Sequence, residues 1–262
     1  MNGGSLRHVV VIKLGGSVLV EEESYSESAR FLARRLQECP AQRLIVVVSA
    51  QKGLTDELER LARRIKRDPS PRTLDLLWST GEMRSVALLT LHLEELGVPA
   101  VGLNVHEAGL RSNGTSHATA NIGLLSAQLQ RSFEEHRVVV VPGFFGTRTN
   151  GTMVSLGRGG SDLSAVLLAD QLEAERCELI KDVAGYFTED PSTAPRAEHV
   201  PWISYDAAIA MAQSGCQLVQ PLALEVARER SLELVVRSLL EALPGTVVSA
   251  HRDQKGTCRR EF

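Results

Sequence analysis

The chain has 262 residues, of which 43% are hydrophobic, so it is long enough to bury a substantial core within one domain. Its formal net charge of −3 gives no electrostatic basis for binding nucleic acid, and no long apolar segment occurs near the N-terminus; we therefore expect a cytoplasmic protein that binds neither nucleic acid nor membrane. The four cysteines are scattered without a C-x-x-C pair, so neither a zinc site nor a disulfide framework is expected.

Short runs of β-branched residues alternate with longer stretches of helical periodicity. The strand candidates are residues 8–12, 44–48, 138–141, 178–180 and 234–236, and the helix candidates are residues 26–38, 54–67, 72–95, 161–173, 204–214 and 221–230. Apolar runs without alternation are typical of strands covered on both faces. The pattern predicts an α/β sandwich around a mainly parallel sheet, with ligands bound beyond the carboxyl ends of the strands.

Two turn-rich segments interrupt this alternation. Residues 104–125 centre on Asn113-Gly114-Thr115, and residues 143–155 contain Asn150-Gly151 between apolar flanks. Because Asn-Gly between strand-like flanks is a strong hairpin signal, we predict a hairpin in each segment, at the edge of the ligand site.

The first predicted strand runs directly into Lys13-Leu14-Gly15-Gly16-Ser17. A lysine beside paired glycines can hold phosphate oxygens through its charge and through backbone N–H groups. The run is neither a Walker loop nor a G-x-G-x-x-G fingerprint. Taken on its own, the run favours a turn at the strand end with a surface lysine.

A second polar run, Ser79-Thr80-Gly81-Glu82, interrupts the helical stretch over residues 72–95. Glu82 could pair with a cationic group of a ligand, such as an α-ammonium, or could serve as an ordinary acidic residue at a helix N-terminus. Further along, Lys181-Asp182 precedes a turn at Gly185. That pair fits a surface ion pair or a loop that contacts a nucleotide.

The most informative run is Gly157-Arg158-Gly159-Gly160-Ser161-Asp162, just before a helical pattern. Glycines allow a ligand to approach the backbone closely, and a helix N-terminus presents free N–H groups. Arg158 adds a bidentate donor for a carboxylate or phosphate. A simple N-cap by Ser161 or Asp162 explains neither the three glycines nor the arginine, so the run indicates an anion site.

Together, these runs resemble the amino acid kinase superfamily and are most similar to aspartokinases. The matching runs, in chain order, are K-L-G-G-S at 13–17, V-S-A at 48–50 with Thr55-Asp56, S-T-G-E at 79–82, V-P-G-F at 141–144, L-G-R-G-G-S-D at 156–162 and K-D-V-A-G at 181–185. The L-G-R-G-G-S-D run is the most specific of them. The K-L-G-G-S run is shared across the superfamily and does not identify a substrate.

The resemblance implies a three-layer α/β/α sandwich, the amino acid kinase fold, as a single domain over residues 1–262. Its acceptor side would cover about 1–155 and its nucleotide side about 156–250, followed by a polar tail at 251–262. Aspartokinases usually carry ACT regulatory modules beyond this point, and we do not expect them here. The resemblance also implies a homodimer.

The implied reaction is transfer of a phosphoryl group from ATP to the carboxylate of an amino acid, with aspartate the first candidate, and the product is an acyl phosphate. Mg²⁺ would be bound mainly through the nucleotide. By the same resemblance, Lys13 would hold the phosphates and Asp162 would organise the cationic groups. The substrate would contact Thr55, Glu82, Arg158 and Ser161. The nucleotide would contact Gly15, Gly16, Ser17, Lys181, Asp182, Gly185, Tyr186 and Asp190.

One segment departs from the family pattern. Where aspartokinases have K-V-L-H-P-R, this chain has Gln217-Leu218-Val219-Gln220-Pro221-Leu222, so neutral Gln217 replaces a lysine expected to contact the nucleotide. Two alternatives therefore stay open beside an amino-acid kinase. One is a superfamily kinase for another small carboxylate or phosphate; the other is a ligand-binding homologue with impaired catalysis.

Overall fold

A computed structural model of the chain describes residues 8–112, 127–157, 159–216, 218–239 and 243–251. Its strands are β1 (Val9–Leu14), β2 (Arg43–Val48), β3 (Ala100–Gly102), β4 (Val138–Pro142), β5 (Phe145–Thr147), β6 (Met153–Ser155), β7 (Arg176–Lys181), β8 (Trp202–Ile203), β9 (Leu234–Ser238) and β10 (Thr246–Val248). Its helices are α1 (Glu22–Glu38), α2 (Leu54–Ile65), α3 (Pro71–Glu95), α4 (Val105–Ala108), α5 (Ala127–Glu135), α6 (Gly160–Gln171), α7 (Tyr205–Gln213) and α8 (Pro221–Arg230).

One sheet organises the described residues, with the strand order β3-β4-β2-β1-β7-β9-β10-β8. Neighbouring strands are parallel except for the antiparallel pair β9 and β10. β1 pairs with both β2 and β7, so the parts of the chain before and after residue 155 share one sheet. The mainly parallel sheet that the sequence predicts is confirmed.

Every residue of β1 and β4 is buried, because helices cover both faces of the sheet. Alternate β1 residues belong to different cores: Val9 and Val11 pack with α6, α7 and α8, whereas Val10 and Ile12 pack with α1 and α3. The result is the three-layer α/β/α sandwich that the resemblance implies. No described helix is both long and apolar enough to cross a lipid bilayer.

Helix α3 corrects one sequence-based prediction. Residues 79–82 lie inside an unbroken helix that begins at Pro71, with Ser70 as its N-cap, and ends at Glu95. Gly81 is needed there for packing, because a Cβ at this position would lie 2.9 Å from Cβ of Ala50. Glycine locally disfavours a helix, but close packing of Gly81 against Ala50, just after β2, keeps α3 continuous here.

The two hairpin predictions have different outcomes. Strands β5 and β6 pair antiparallel around Gly151, which has a φ of 78°, so the second hairpin is confirmed. In the first segment, residues 105–108 instead form the short helix α4, which Asn104 caps by accepting from the N–H groups of His106 and Glu107. The Asn113-Gly114-Thr115 turn predicted there lies outside the described residues.

Candidate active site

Four strands, β1, β2, β4 and β7, are neighbours in the sheet and parallel, so their carboxyl ends lie along one edge. Each of these ends leads into a loop that the sequence marks as a candidate for ligand binding. Helix α6 begins at the same edge and packs against β1, β2 and β7. The fold therefore gathers runs that are far apart in the chain, which is the usual arrangement of ligand sites in such sheets.

Two lysines and one aspartate form a buried ionic cluster at this edge. Lys13 Nζ lies 2.8 Å from Asp162 Oδ1, and Lys181 Nζ lies 3.0 Å from Asp162 Oδ2. The backbone N–H of Gln220, just before α8, donates to Asp162 Oδ2 at 3.3 Å. Lys13 and Lys181 lie near the carboxyl ends of neighbouring strands, with Lys13 paired with Leu179, two residues before Lys181. Asp162 reaches both lysines from the first turn of α6.

The charges in this cluster are strongly coupled. Burial alone would raise the pKa of Asp162, but the Lys13 and Lys181 ammonium groups hold it well below its usual range, so the carboxylate is ionised. Burial and the nearby charge of Lys13 lower the pKa of Lys181 to about 8, although Asp162 opposes the change. Below that pH the three side chains carry one net positive charge in a water-poor setting. Such a centre can hold an anion strongly.

Glycines pack tightly around the cluster. A Cβ on Gly15 would lie 2.7 Å from Lys13 Nζ, and one on Gly16 would lie 3.2 Å from the Ala50 carbonyl oxygen. Gly15 accepts hydrogen bonds from the N–H groups of Val18 and Leu19 at 3.0 Å, which closes the turn after β1. Ser17 lies half-buried in this turn. Of the small residues predicted to line phosphates, Gly15 lies directly beside the ammonium group of Lys13, whereas Gly16 packs against the backbone of Ala50 and Lys52.

Glu82 lies in the middle of α3 and is only 3% exposed. Its Oε1 accepts from the Ala50 N–H at 3.3 Å, whereas its Oε2 is buried and has no hydrogen-bond partner among the described residues. Burial raises the pKa of Glu82 to about 7. Hydrogen bonds from the backbone N–H groups of Glu82 and Ala50 only partly offset this rise. A buried, half-satisfied carboxylate of this kind is prepared to bind a cation.

The other predicted acceptor residues have different positions. Ser161 is buried at the start of α6, where Gly143 packs so closely that a Cβ would come 2.8 Å from the serine Cβ. Thr55 is half-buried in the first turn of α2, just after the loop that follows Ala50. Arg158 and Gln217, two residues on which the sequence-based reasoning depends, lie outside the described residues.

The loop after β7 is anchored to β10 at the far side of the cluster. Gly185 has a φ of 141°, and any Cβ there would collide with Thr246. Thr246 Oγ1 accepts from the Tyr186 N–H at 2.8 Å and donates to the Val200 carbonyl at 2.6 Å. Tyr186 itself is buried, and burial raises the pKa of its hydroxyl.

Two predicted nucleotide residues of this loop are exposed. Asp182 directly follows Lys181, whereas Asp190 accepts from the N–H and hydroxyl of Ser192 in a surface turn. Asp182 therefore lies beside the buried cluster. The contacts of Asp190 are those of a local turn.

Some site residues were not identified from the sequence. Ala50 binds Glu82, Gln220 binds Asp162, and Thr246 fixes the loop at Gly185, each through a backbone or hydroxyl group. Nearly every residue has a backbone N–H, so residue type does not indicate which one will donate to the site. Thr246 lies in a strand of only three residues, which is too short to show a sequence period. Ala50 was part of a noted run, but nothing in that run indicated a contact with Glu82.

Most of this chain is similar in sequence to known proteins. A model of the amino acid kinase family matches residues 8–238. An aspartokinase of Geobacillus stearothermophilus is 38% identical over 241 residues, which cover 92% of this chain and 58% of that relative. The chain thus spans less than two thirds of the length of the curated relative.

Solved structures show the same likeness. The crystal structure of aspartate kinase from Synechocystis superposes with a TM-score of 0.81 at 36% identity, covering 94% of this chain and 40% of that one. The structure of E. coli aspartokinase III in complex with aspartate and ADP superposes with a TM-score of 0.80 at 26% identity, covering 94% of this chain and 66% of that one.

Proposed function

Because the chain belongs to the amino acid kinase family, we propose that it transfers a phosphoryl group from ATP to the carboxylate of an amino acid, aspartate first, to form an acyl phosphate. The buried cluster of Lys13, Asp162 and Lys181 carries this proposal. Phosphoryl transfer needs positive charge beside the transferred group and accurate positioning, and little covalent chemistry from the protein. A buried cationic centre, with Gly15 packed against Lys13, supplies both.

In the proposed reaction, an oxygen of the acceptor carboxylate attacks the γ-phosphorus, and the bond from that phosphorus to the bridging oxygen of ADP breaks. The attacking carboxylate is already ionised, so no general base is required. This agrees with an Asp162 that is bound to two ammonium groups and held ionised, which suits it to orient the lysines rather than to accept a proton. Lys13 and Lys181 would neutralise charge on the phosphates, beside Gly15, Gly16 and Ser17.

The acceptor would bind between α3 and the start of α6. Glu82 would take its ammonium group, Ser161 and Arg158 a carboxylate, and Thr55 would complete the pocket. On the nucleotide side we assign Asp182, Gly185, Tyr186 and Asp190. The proposed division into acceptor and nucleotide sides is not strict, because Lys13 comes from the first half of the chain and Ser161 from the second.

Mg²⁺ fits this donor set as an ion that arrives with ATP. Asp162 already binds two lysines, and the carboxylate nearest to the cluster in sequence is the exposed Asp182. Such a set suits a cation held largely by nucleotide oxygens and water, with at most one protein carboxylate. The ion would supply further charge neutralisation on the phosphates.

The proposed activity is tested by incubating the chain with ATP, Mg²⁺ and a panel of carboxylates in hydroxylamine, which traps an acyl phosphate as a hydroxamate. We expect hydroxamate with aspartate, and its loss in Lys13→Ala but not in the control Lys66→Ala, whose lysine is exposed at the end of α2. No hydroxamate with any amino acid would contradict the proposal. Light scattering of the same sample tests the expected homodimer.

A further inference from the structure

Trp78 lies one helical turn before Glu82, so both side chains project from the same face of α3. The Trp78 ring packs against the ring of Phe144, with a centroid distance of 6.2 Å. Phe144 belongs to the turn after β4, and the preceding Gly143 packs against Ser161. Trp78 therefore borders the space into which the acceptor is proposed to bind.

Two buried polar atoms on this face lack a hydrogen-bond partner within the described part of the chain. They are the Nε1–H of Trp78, which is a donor, and Oε2 of Glu82, which is an acceptor. Buried polar groups without partners are costly and rare in folded proteins. Two of opposite kind, one turn apart in a candidate site, indicate a ligand that supplies both partners.

The ring against which Trp78 packs is held firmly. Phe144 has a φ of 69°, a conformation that disfavours a bulky residue. Its N–H donates to Ser164 Oγ at 3.1 Å, and its carbonyl accepts from the Leu156 N–H at 2.7 Å. The edge of the buried Phe145 ring supports it at a centroid distance of 4.9 Å. The wall beside Trp78 is thus preorganised.

An α-amino acid carries the matching pair of groups, an ammonium and a carboxylate on one carbon. Side chains four residues apart on a helix have Cβ atoms only about 5–6 Å apart, so one such head group can reach both. We infer that Trp78 donates a hydrogen bond from Nε1 to the α-carboxylate of the acceptor while Glu82 binds its ammonium. Trp78 is then a specificity residue that selects α-amino acids, and this inference rests on the proposed function.

Access to both atoms requires a local movement. Trp78 Nε1 and Glu82 Oε2 are closed to solvent, and the backbone of Ala50 lies over Glu82. Gly53, the N-cap of α2, has a φ of 80°, and a Cβ there would have no atom within 4 Å. Displacing the loop from Ala50 to Gly53 would free Glu82 from its contact with the Ala50 N–H.

Calorimetric titration without ATP tests the inference, because β-alanine is aspartate without its α-carboxylate. Because a hydrogen bond to a charged group contributes substantially to the binding free energy, aspartate should bind Trp78→Phe about 10-fold to 100-fold more weakly than the unmodified chain. The affinity for β-alanine should change less than about two-fold. As a matched control, Trp202→Phe removes the other indole, which lies on β8 at the edge of the sheet and donates to Ser249, and should leave both affinities unchanged.

The possible results separate the two proposals. Equal weakening of aspartate and β-alanine would show that Trp78 acts through packing alone and would overturn the inference, as would unchanged binding of aspartate. If neither compound binds the unmodified chain, the proposed acceptor fails as well. If Trp78→Phe does not fold, Trp202→Phe can be used instead, because it leaves Trp78 as the only indole. If aspartate and β-alanine then change the fluorescence emission of Trp78 equally, the inference is overturned.

Discussion

Replacing Glu82 with glutamine removes a charge that the fold buries at a cost. The side chain is 3% exposed, and one of its oxygens has no partner among the described residues. Burial raises the pKa of Glu82 from 4.5 to about 7. Glutamine has nearly the same shape and can still accept from the Ala50 N–H, but it does not titrate. The substitution therefore isolates the electrostatic cost.

The size of the effect follows from that pKa. Each pKa unit corresponds to ~1.4 kcal/mol, so ionised Glu82 should cost the folded state roughly 3 kcal/mol at pH 8. Since the pKa is higher in the folded state, the folded chain binds more protons between pH 4.5 and about 7. The stabilisation that protonated Glu82 gives the folded chain is complete below pH 4.5 and is lost as the pH rises through about 7. Glu82→Gln should abolish this loss.

The assay is urea unfolding of both proteins at pH 5 and pH 8. Relative to the variant, the unmodified chain should lose roughly 2–3 kcal/mol between these two pH values. The same change at the exposed Glu94, also on α3, should leave the pH dependence as it is. Aspartate turnover by Glu82→Gln should fall at least about 10-fold, because an amide cannot replace a buried charge opposite the ammonium.

An equal pH dependence in the two proteins would refute the reasoning about Glu82. It would mean that the carboxylate is solvated or paired in the folded chain, and that its unpartnered oxygen is not a site for a cation. Lower stability of the variant at both pH values would not rescue the argument, because only the difference between the two pH values reports on the charge.

Three further predictions concern the cluster and its surroundings. Gly15→Ala should displace the Lys13 ammonium group and lower kcat about 10-fold to 100-fold without unfolding the chain, as measured by steady-state kinetics and circular dichroism. Activity should decline above pH 8 as Lys181 loses its proton, and Lys181→Arg should retain activity at pH 9; a pH profile that is the same in both would contradict the assigned charge. Glu178→Ala should lower the free energy of unfolding by about 3–5 kcal/mol, because it leaves the Arg35 guanidinium, 11% exposed and bound at 2.6 Å, without its buried carboxylate. Arg63→Ala, at a more exposed pair, should cost less than about 1 kcal/mol in the same denaturation assay.

Much of the fold could be predicted because local patterns report burial directly. The runs at 44–48 and 138–141 are apolar on both faces, and both form interior strands of the sheet. Among the strands that were not predicted, β3, β8 and β10 have only two or three residues each. Such strands have too few residues to show a period. Residues 79–82 were misjudged because a glycine disfavours a helix locally, while the packing that compensates for it involves Ala50, from the loop after β2.

The sequence by itself determined which residues have the right chemistry. Lysine, glycine and aspartate at the ends of predicted strands are recognisable without a structure, since residue type and helix or strand periodicity are local properties. Only the tertiary structure decided that Lys13, Asp162 and Lys181 meet, because strand order brings β1 beside β7 although many residues separate them. The same holds for the exposed setting of Asp190, and for the atoms of Glu82 and Trp78 that have no partner in the described ranges. Both depend on what surrounds each side chain in space and not on its neighbours in sequence.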